Sequence, residues 1–162
     1  MKTRDVARAV ILVAIAVALS PFFIPVGISK CFPAQHMVNV LSAVMLGPAY
    51  AVGIAFVSAI IRNILGLGTP LAFPGGMIGA LLAGLAYRMS KNIYVAGLGE
   101  VIGTGLLGSL ASVWIVAPLM LSRKAGLITL MIAFSISTLG GTIIGLIALH
   151  LLRKAKIWEP ND

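Results

Sequence analysis

Long apolar runs, broken by short polar or Gly/Pro-rich segments, divide the chain into six stretches that each read as a helix. The first covers about Asp5 to Phe23, with Pro21 and Pro25 marking its far end. Pro25 to Pro33 (PVGISKCFP) has no apolar face and two flanking prolines, and reads as a loop. The second helix, about Ala34 to Leu46, stops at Gly47-Pro48, and the third follows from about Ala49 to Leu65. A Gly/Pro-rich stretch from Gly66 to Gly76 enters a fourth helix, which runs to about Tyr87, and Arg88 to Asn92 forms a polar turn. The fifth covers about Val95 to Leu119, a turn lies at Ser122 to Gly126, and the sixth runs from about Leu127 to Leu152 before a polar, frayed tail. The second helix reaches only about 20 Å at 1.5 Å per residue, short of a hydrocarbon core of about 30 Å. Protein or water must then fill the gap it leaves, because lipid satisfies no backbone group.

Composition assigns these helices to a membrane. The chain is 60% hydrophobic and only 10% charged, with a mean hydropathy of +1.10. A water-soluble domain carries about 25% charged residues and has no way to bury this much apolar surface. The expected fold is an all-α integral membrane protein: a six-transmembrane-helix bundle forming a single domain over residues 1–162. Lys2, Arg4 and Arg8 followed by an apolar run look like a secretory signal, but further spanning sequence follows, so this stretch reads as a retained first helix.

The net charge of +8 comes from 12 basic against 4 acidic residues, the basic ones grouped between apolar runs. That grouping fits membrane topology better than nucleic-acid binding. With both termini cytoplasmic, Lys2, Arg4, Arg8, Arg88, Lys91, Arg153, Lys154 and Lys156 lie inside, and Lys30, Arg62, Arg123 and Lys124 outside. Eight against four satisfies the positive-inside bias and places the chain in the cytoplasmic membrane as a multi-pass protein. Small residues recur at four-residue spacing, as at Ala14/Ala18, Gly75/Gly79/Ala83, Gly99/Gly103 and Gly141/Gly145, where helix backbones can approach closely.

Catalytic chemistry is poorly supplied. There is no Gly-x-x-x-x-Gly-Lys-Ser/Thr loop, no His-Glu-x-x-His pair, no Asp-rich cluster and no Gly-x-Ser-x-Gly elbow. The lone Cys31 excludes an internal disulfide and reads as an unpaired loop thiol. No cofactor, metal or enzymatic activity is expected.

The polar residues point instead to solute recognition. Gln35, His36 and Asn39 open the short second helix, with Gln35 and Asn39 on one face. They supply neutral donors and acceptors suited to a polar heterocycle or hydroxyl, or else cap the helix. Arg62 and Asn63 close the third helix, where Arg62 either snorkels to headgroups or turns inward to order the loop or meet an anionic group. In Thr69-Pro70-Leu71-Ala72-Phe73-Pro74-Gly75-Gly76, Gly75 and Gly76 leave N–H groups near a helix N-terminus accessible, and Phe73 can stack on a flat ring. Trp114 is an interface anchor or a pocket wall, and Ser135, Ser137 and Thr138 are weaker candidates. Glu100 is the one acid deep within a predicted helix. Its expected role is pairing with Arg88 and Lys91 near the cytoplasmic interface, with a proton site as the alternative.

Gln35-His36-Met37-Val38-Asn39-Val40-Leu41, the Gly47-Pro48 break, Arg62-Asn63 and Phe73-Pro74-Gly75-Gly76-Met77-Ile78-Gly79-Ala80 together resemble the ThiW family. These are substrate-binding S components of energy-coupling factor transporters, associated with the thiazole precursor of thiamine, and the resemblance spans nearly the whole chain. It implies an outward-facing pocket lidded by the loop between the first two helices and by later outer loops. It implies as partners a transmembrane coupling (T) subunit and two cytoplasmic ATPase subunits, which fits the missing P-loop. An alanine pair on the first helix packs on the coupling subunit in related proteins; Ala14 and Ala18 match that spacing, with Ala16/Ser20 a second register. The implied ligand is hydroxyethylthiazole, held by Gln35, His36 and Asn39 with Phe73 or Trp114 stacking. The competing expectation is a stand-alone proton-coupled transporter using Glu100.

Overall fold

A computed structural model describes residues 3–26, 29–121 and 126–158. Among them the chain forms six helical rods and one small hairpin. The first rod, α1 (Thr3–Ala18), ends earlier than the apolar run, because the residue before a proline is pushed out of the helical region and Pro21 follows Ser20. The stretch expected to be an unstructured loop contains an antiparallel hairpin of β1 (Ile24–Val26) and β2 (Ser29–Cys31), in which Ile24 faces Cys31.

Then come α2 (Pro33–Leu46) and α3 (Pro48–Ile64), each with proline in its first turn. There the missing N–H costs nothing and the fixed φ is already helical. They are joined at Gly47, whose φ of 88° suits glycine and strains other residues. α4 (Ala72–Ser90) starts four residues before Gly76, so Phe73 to Gly76 form its first turn rather than lead into it. Pro74 is tolerated there because the first N–H groups of a helix have no intrahelical partner.

The fifth rod, α5, is continuous over 93–121 but not uniformly α-helical. An α-segment, Ile93–Ile102, is capped by Asn92, whose side chain accepts from the Tyr94 N–H at 2.8 Å. It widens to π-helix at Gly103–Gly108, returns to α over Ser109–Ala111 and widens again at Ser112–Leu121 around Pro118. Wide turns of this kind cluster at functional sites. The last rod, α6 (Leu127–Lys154), closes with Lys156 at φ 56° and the Ile157 N–H returned to the Leu152 carbonyl at 3.1 Å. The tail is therefore not frayed at its start: Trp158 is 5% exposed and packs into the core.

The bundle is built around α2, which packs on α3, α4 and α6 and is buried on nearly every side. One core joins Leu12 and Ala16 of α1, Val38 to Val44 of α2, Ile54 of α3, Ile93 and Ala96 of α5 and Leu149 of α6. A second is made wholly of alanines, Ala43, Ala51, Ala55, Ala80 and Ala83, where α2, α3 and α4 meet. Large apolar side chains point outward instead, among them Val10, Ile64, Leu98, Trp114, Leu119, Ile143 and Leu151. Gln35, His36, Asn39, Arg62, Glu100 and Thr104 point inward. An apolar surface around a bundle that buries several polar and charged side chains is stable only where lipid is the solvent. Two rods, Ile93–Leu119 and Leu127–Lys154, are long and apolar enough to cross a membrane, and Pro48–Ile64 is a shorter apolar helix.

The small residues act where rods cross. A Cβ built on Gly103 falls 2.7 Å from the Gly79 Cα and 3.0 Å from the Ile78 carbonyl oxygen, both backbone atoms with little freedom to yield. Gly53, by contrast, has nothing within 4 Å of such a Cβ. Gly103→Ala is expected to destabilise the detergent-purified protein by about 1–3 kcal/mol, and Gly53→Ala to stay within about 0.5 kcal/mol of the parent. Thermal unfolding of the two variants checks this, and equal melting temperatures would mean that α4 and α5 do not cross at Gly79 and Gly103.

Candidate functional site

Three helices contribute to a buried polar cluster centred on Glu100. That side chain is fully buried in α5. Its Oε1 lies 2.8 Å from Nδ1 of His36 and accepts from Nδ2 of Asn39 at 3.0 Å. The Thr104 hydroxyl, one turn further along α5, is 3.1 Å from the same oxygen and 3.0 Å from the Gly75 carbonyl, so its single proton serves one at a time. Asn39 also donates to the Gly76 carbonyl at 3.0 Å, which binds α2 to the first turn of α4.

α4 accommodates these groups by carrying glycine at every contact. A Cβ on Gly79 would collide with the Thr104 hydroxyl and lie 2.7 Å from Glu100 Oε2. One on Gly76 would collide with the Gln35 amide, and one on Gly75 would meet the Phe134 ring at 3.0 Å. The glycine spacing that the sequence assigns to helix packing therefore also makes room for polar side chains.

A second polar group closes the same end of the bundle. Arg62, at the end of α3, is 1% exposed and donates to Gln35 Oε1 through Nη1. Its guanidinium carbon sits 4.3 Å above the centre of the Phe32 ring. A desolvated cation–π contact of this kind is worth about 2 kcal/mol. The Arg62 carbonyl accepts from Leu67 and Gly68 at 2.8 and 3.0 Å, which folds the α3–α4 connection back over it. Among the described residues no carboxylate pairs with Arg62, and its Nε and Nη2 have no partner. The hairpin is tied down beside it: Phe32 N–H donates to Ser137 Oγ at 2.8 Å and Cys31 Sγ donates to the Ala133 carbonyl at 3.2 Å.

Between these groups lies a cavity of about 30 Å³. Its walls are the rings of Phe32 and Phe134, the polar side chains of Gln35, His36, Thr104 and Ser137, and the small residues Ala72, Gly75 and Gly76. Aromatic residues with a few convergent polar groups are what a small flat heterocycle requires. The volume is that of little more than one water, so a heterocycle would need the walls to part.

The structure brings together Gln35, His36, Asn39 and Gly75 and sets Arg62 beside them, turned inward rather than toward headgroups. It does not bring in four other candidates. Asn63 donates to the Ala59 carbonyl at 2.8 Å and the Thr69 carbonyl at 3.4 Å, bracing a turn, and the Thr69 side chain is exposed. Phe73 packs edge-on against Phe56 with centroids 6.0 Å apart, outside the cavity walls. Trp114 is 71% exposed and is not among the residues that line this cavity.

Glu100 reverses its expected role: it binds His36, Asn39 and Thr104, and no ion pair with Arg88 or Lys91 forms. Sequence reasoning missed Thr104, Phe32 and Phe134. A signal for the first existed, since Thr104 follows Glu100 by four residues and so shares its face. On α1, Ala14 and Ala18 are exposed, while Ala16 and Ser20 of the second register are buried and joined by a 2.6 Å hydrogen bond. Arg123 and Lys124 fall outside the described residues.

Compared with known proteins, residues 6–155 match the model of a family described as thiamine-precursor transporter protein (ThiW). No curated protein matches the sequence.

Cys31 reports on the hairpin. Its thiol is buried and free of disulfide, and burial raises its pKa, so less reactive thiolate is present at a given pH than for an ordinary cysteine. Maleimide labelling at neutral pH is expected to be at least about ten-fold slower in the folded protein than in denaturant. Equal rates would mean that the hairpin does not seat on α6.

Proposed function

The chain belongs to the ThiW family of thiamine-precursor transporters, and on that premise we propose that it is the substrate-capture subunit of an energy-coupling factor importer for hydroxyethylthiazole. The observation that carries this reading is the partly open cavity lined by Phe32 and Phe134, with His36, Gln35 and Ser137 among its walls inside an otherwise apolar bundle. A neutral thiazole suits the two rings and the three polar groups. Gln35, His36 and Gly75 are its proposed contacts; Asn39 and Arg62 shape the site from behind, through Glu100 and through Gln35 and Phe32.

In this reading all six rods cross the cytoplasmic membrane with both termini inside, as the distribution of basic residues favours. The hairpin and the start of α4 part to admit the solute and close over it. Partner subunits supply the energy: a transmembrane coupling subunit docks on the exposed Ala14/Ala18 face of α1, and two cytoplasmic ATPases drive release. The absence of a P-loop in this chain accords with that division of labour. A second reading, a stand-alone proton-coupled transporter, draws on the burial of Glu100 beside His36. Uptake by liposomes holding this protein alone separates the two, because only the second predicts gradient-driven accumulation that Glu100→Gln abolishes.

Equilibrium binding to the purified protein tests the assignment, with hydroxyethylthiazole, its phosphate, thiamine and unrelated vitamins compared. Hydroxyethylthiazole should bind most tightly, and His36→Ala should weaken it by about 2- to 13-fold, the loss of one hydrogen bond of about 0.5–1.5 kcal/mol. No thiazole binding alongside tight binding of another vitamin would end the assignment. Separately, Ala14→Trp or Ala18→Trp should abolish co-purification with the coupling subunit and leave ligand affinity unchanged. Lost ligand binding with intact assembly would show that this face serves the bundle instead.

A further inference from the structure

We infer that the substrate group held at His36 is a hydrogen-bond donor, a hydroxyl or an exocyclic amine, and that Glu100 imposes this as a positioning residue by fixing the imidazole tautomer. The inference rests on the site reading above and adds the polarity of the group it recognises.

Asn39 fixes the polarity of the cluster. Its amide nitrogen has two protons and two acceptors, the Gly76 carbonyl and Glu100 Oε1, each at 3.0 Å. Turning the amide over would set its oxygen against both, so the orientation shown is the stable one. Glu100 Oε1 is therefore an acceptor. With Glu100 ionised, Oε1 has no proton to give, and His36 Nδ1, 2.8 Å from it, carries the shared proton and donates it.

The second ring nitrogen then depends on the charge of the imidazole. From α3 the fixed charge of Arg62 reaches Gln35, next to His36 in the chain, and no carboxylate pairs with it. From α5 comes the single negative charge of Glu100. Around the cavity α4 supplies only Ala72, Gly75 and Gly76, α6 supplies Phe134 and Ser137, and the segment after the hairpin supplies Phe32. With Arg62 a permanent cation and Glu100 the one anion of the group, a cation on His36 would leave these enclosed side chains with a net positive charge in a medium that penalises it. Neutral imidazole protonated at Nδ1 leaves a bare lone pair on Nε2. With Nδ1 committed to Glu100, Nε2 is the ring nitrogen that a ligand in the cavity can reach.

Two of the remaining polar groups have the opposite character. Gln35 Oε1 is engaged by Arg62, which leaves the amide N–H groups for a ligand. Ser137 Oγ accepts from Phe32 N–H and keeps its own proton to donate. The cavity thus offers an acceptor at His36, a second acceptor oxygen at Thr104, whose proton is used within the cluster, and donors at Gln35 and Ser137. It fits a molecule with a donor at one end and an acceptor, such as an aromatic ring nitrogen, at the other.

Two measurements on the full-length protein test this. Nitrogen-15 NMR of histidine-labelled protein reads the tautomer directly, with His150→Gln leaving His36 as the only histidine. Nδ1 protonated and Nε2 bare is expected; protonation of Nε2, alone or as imidazolium, overturns the inference. Affinities are then compared for hydroxyethylthiazole, its methyl ether, which keeps the oxygen but loses the proton, and the ethyl analogue, which loses both. The alcohol should bind about ten-fold more tightly than either, and Glu100→Leu should bring the three together. Equal affinity of alcohol and ether in the parent protein, or a Glu100→Leu variant that weakens all three by one factor, overturns it. If that variant does not fold, the parent's NMR spectrum and affinity ratio decide alone. If no thiazole binds, the proposed substrate is wrong, and the tautomer still decides the part played by Glu100.

Discussion

The site depends on one buried carboxylate. Glu100 lies in an apolar bundle where an unpaired charge would cost several kcal/mol, and its Oε1 is met by groups from α2 and from α5 itself. Asn39 reaches on to the Gly76 carbonyl and Thr104 shares its one proton between Oε1 and the Gly75 carbonyl, so holding Oε1 also joins the first turn of α4 to α2 and α5, while Oε2 has no partner among the described residues. Those junctions place Gln35, His36 and the glycines around one space. In a lipid solvent, where apolar contact distinguishes poorly between one helix pairing and another, such hydrogen bonds and close glycine crossings select the arrangement.

Arg62 has the complementary role at the outer limit of the cluster. It reaches the start of α2 through Gln35, the residue after the hairpin through the Phe32 ring, and its own following loop through its carbonyl. Ser137 and Ala133 hold the hairpin from the side of α6. The cavity is thus bounded by groups that are each anchored elsewhere. Phe32 is held by the Arg62 guanidinium over its ring, a tilted ring contact with Phe23 and two backbone hydrogen bonds, one donated to Ser137 Oγ and one accepted from Gln35 N–H.

The six rods were legible because each is an apolar run bounded by proline, glycine or charge, and the rule that lipid excludes unsatisfied backbone leaves helix as the only form for them. The ends were less so. α1 stops before the apolar run does, since Pro21 acts on local geometry that hydropathy does not register. α4 begins before Gly76, since proline and glycine in a first turn look like loop but fit a helix start. The clustering of Gln35, His36 and Asn39 followed from their types and spacing. The role of Glu100 did not, because its nearness to Lys91 along the chain suggested a pairing that a straight helix makes impossible: nine residues at 1.5 Å put it about 13 Å deeper. Trp114 misled for a related reason. Residue type qualified it for a pocket wall, but only the rotation of α5 decides which side it faces, and that side is outward.

The central claim is that these polar groups enclose a substrate. The most direct measurement is an experimental structure of the protein in a lipid nanodisc with hydroxyethylthiazole bound. The account predicts the ring between Phe32 and Phe134, with its hydroxyl on His36 Nε2 and Glu100 still bound to Nδ1. A ligand elsewhere, on the outer surface by Trp114 or in the open apolar groove that Val10 and Val13 of α1 form with Tyr50 and Val57 of α3, with the cavity unchanged, would contradict it.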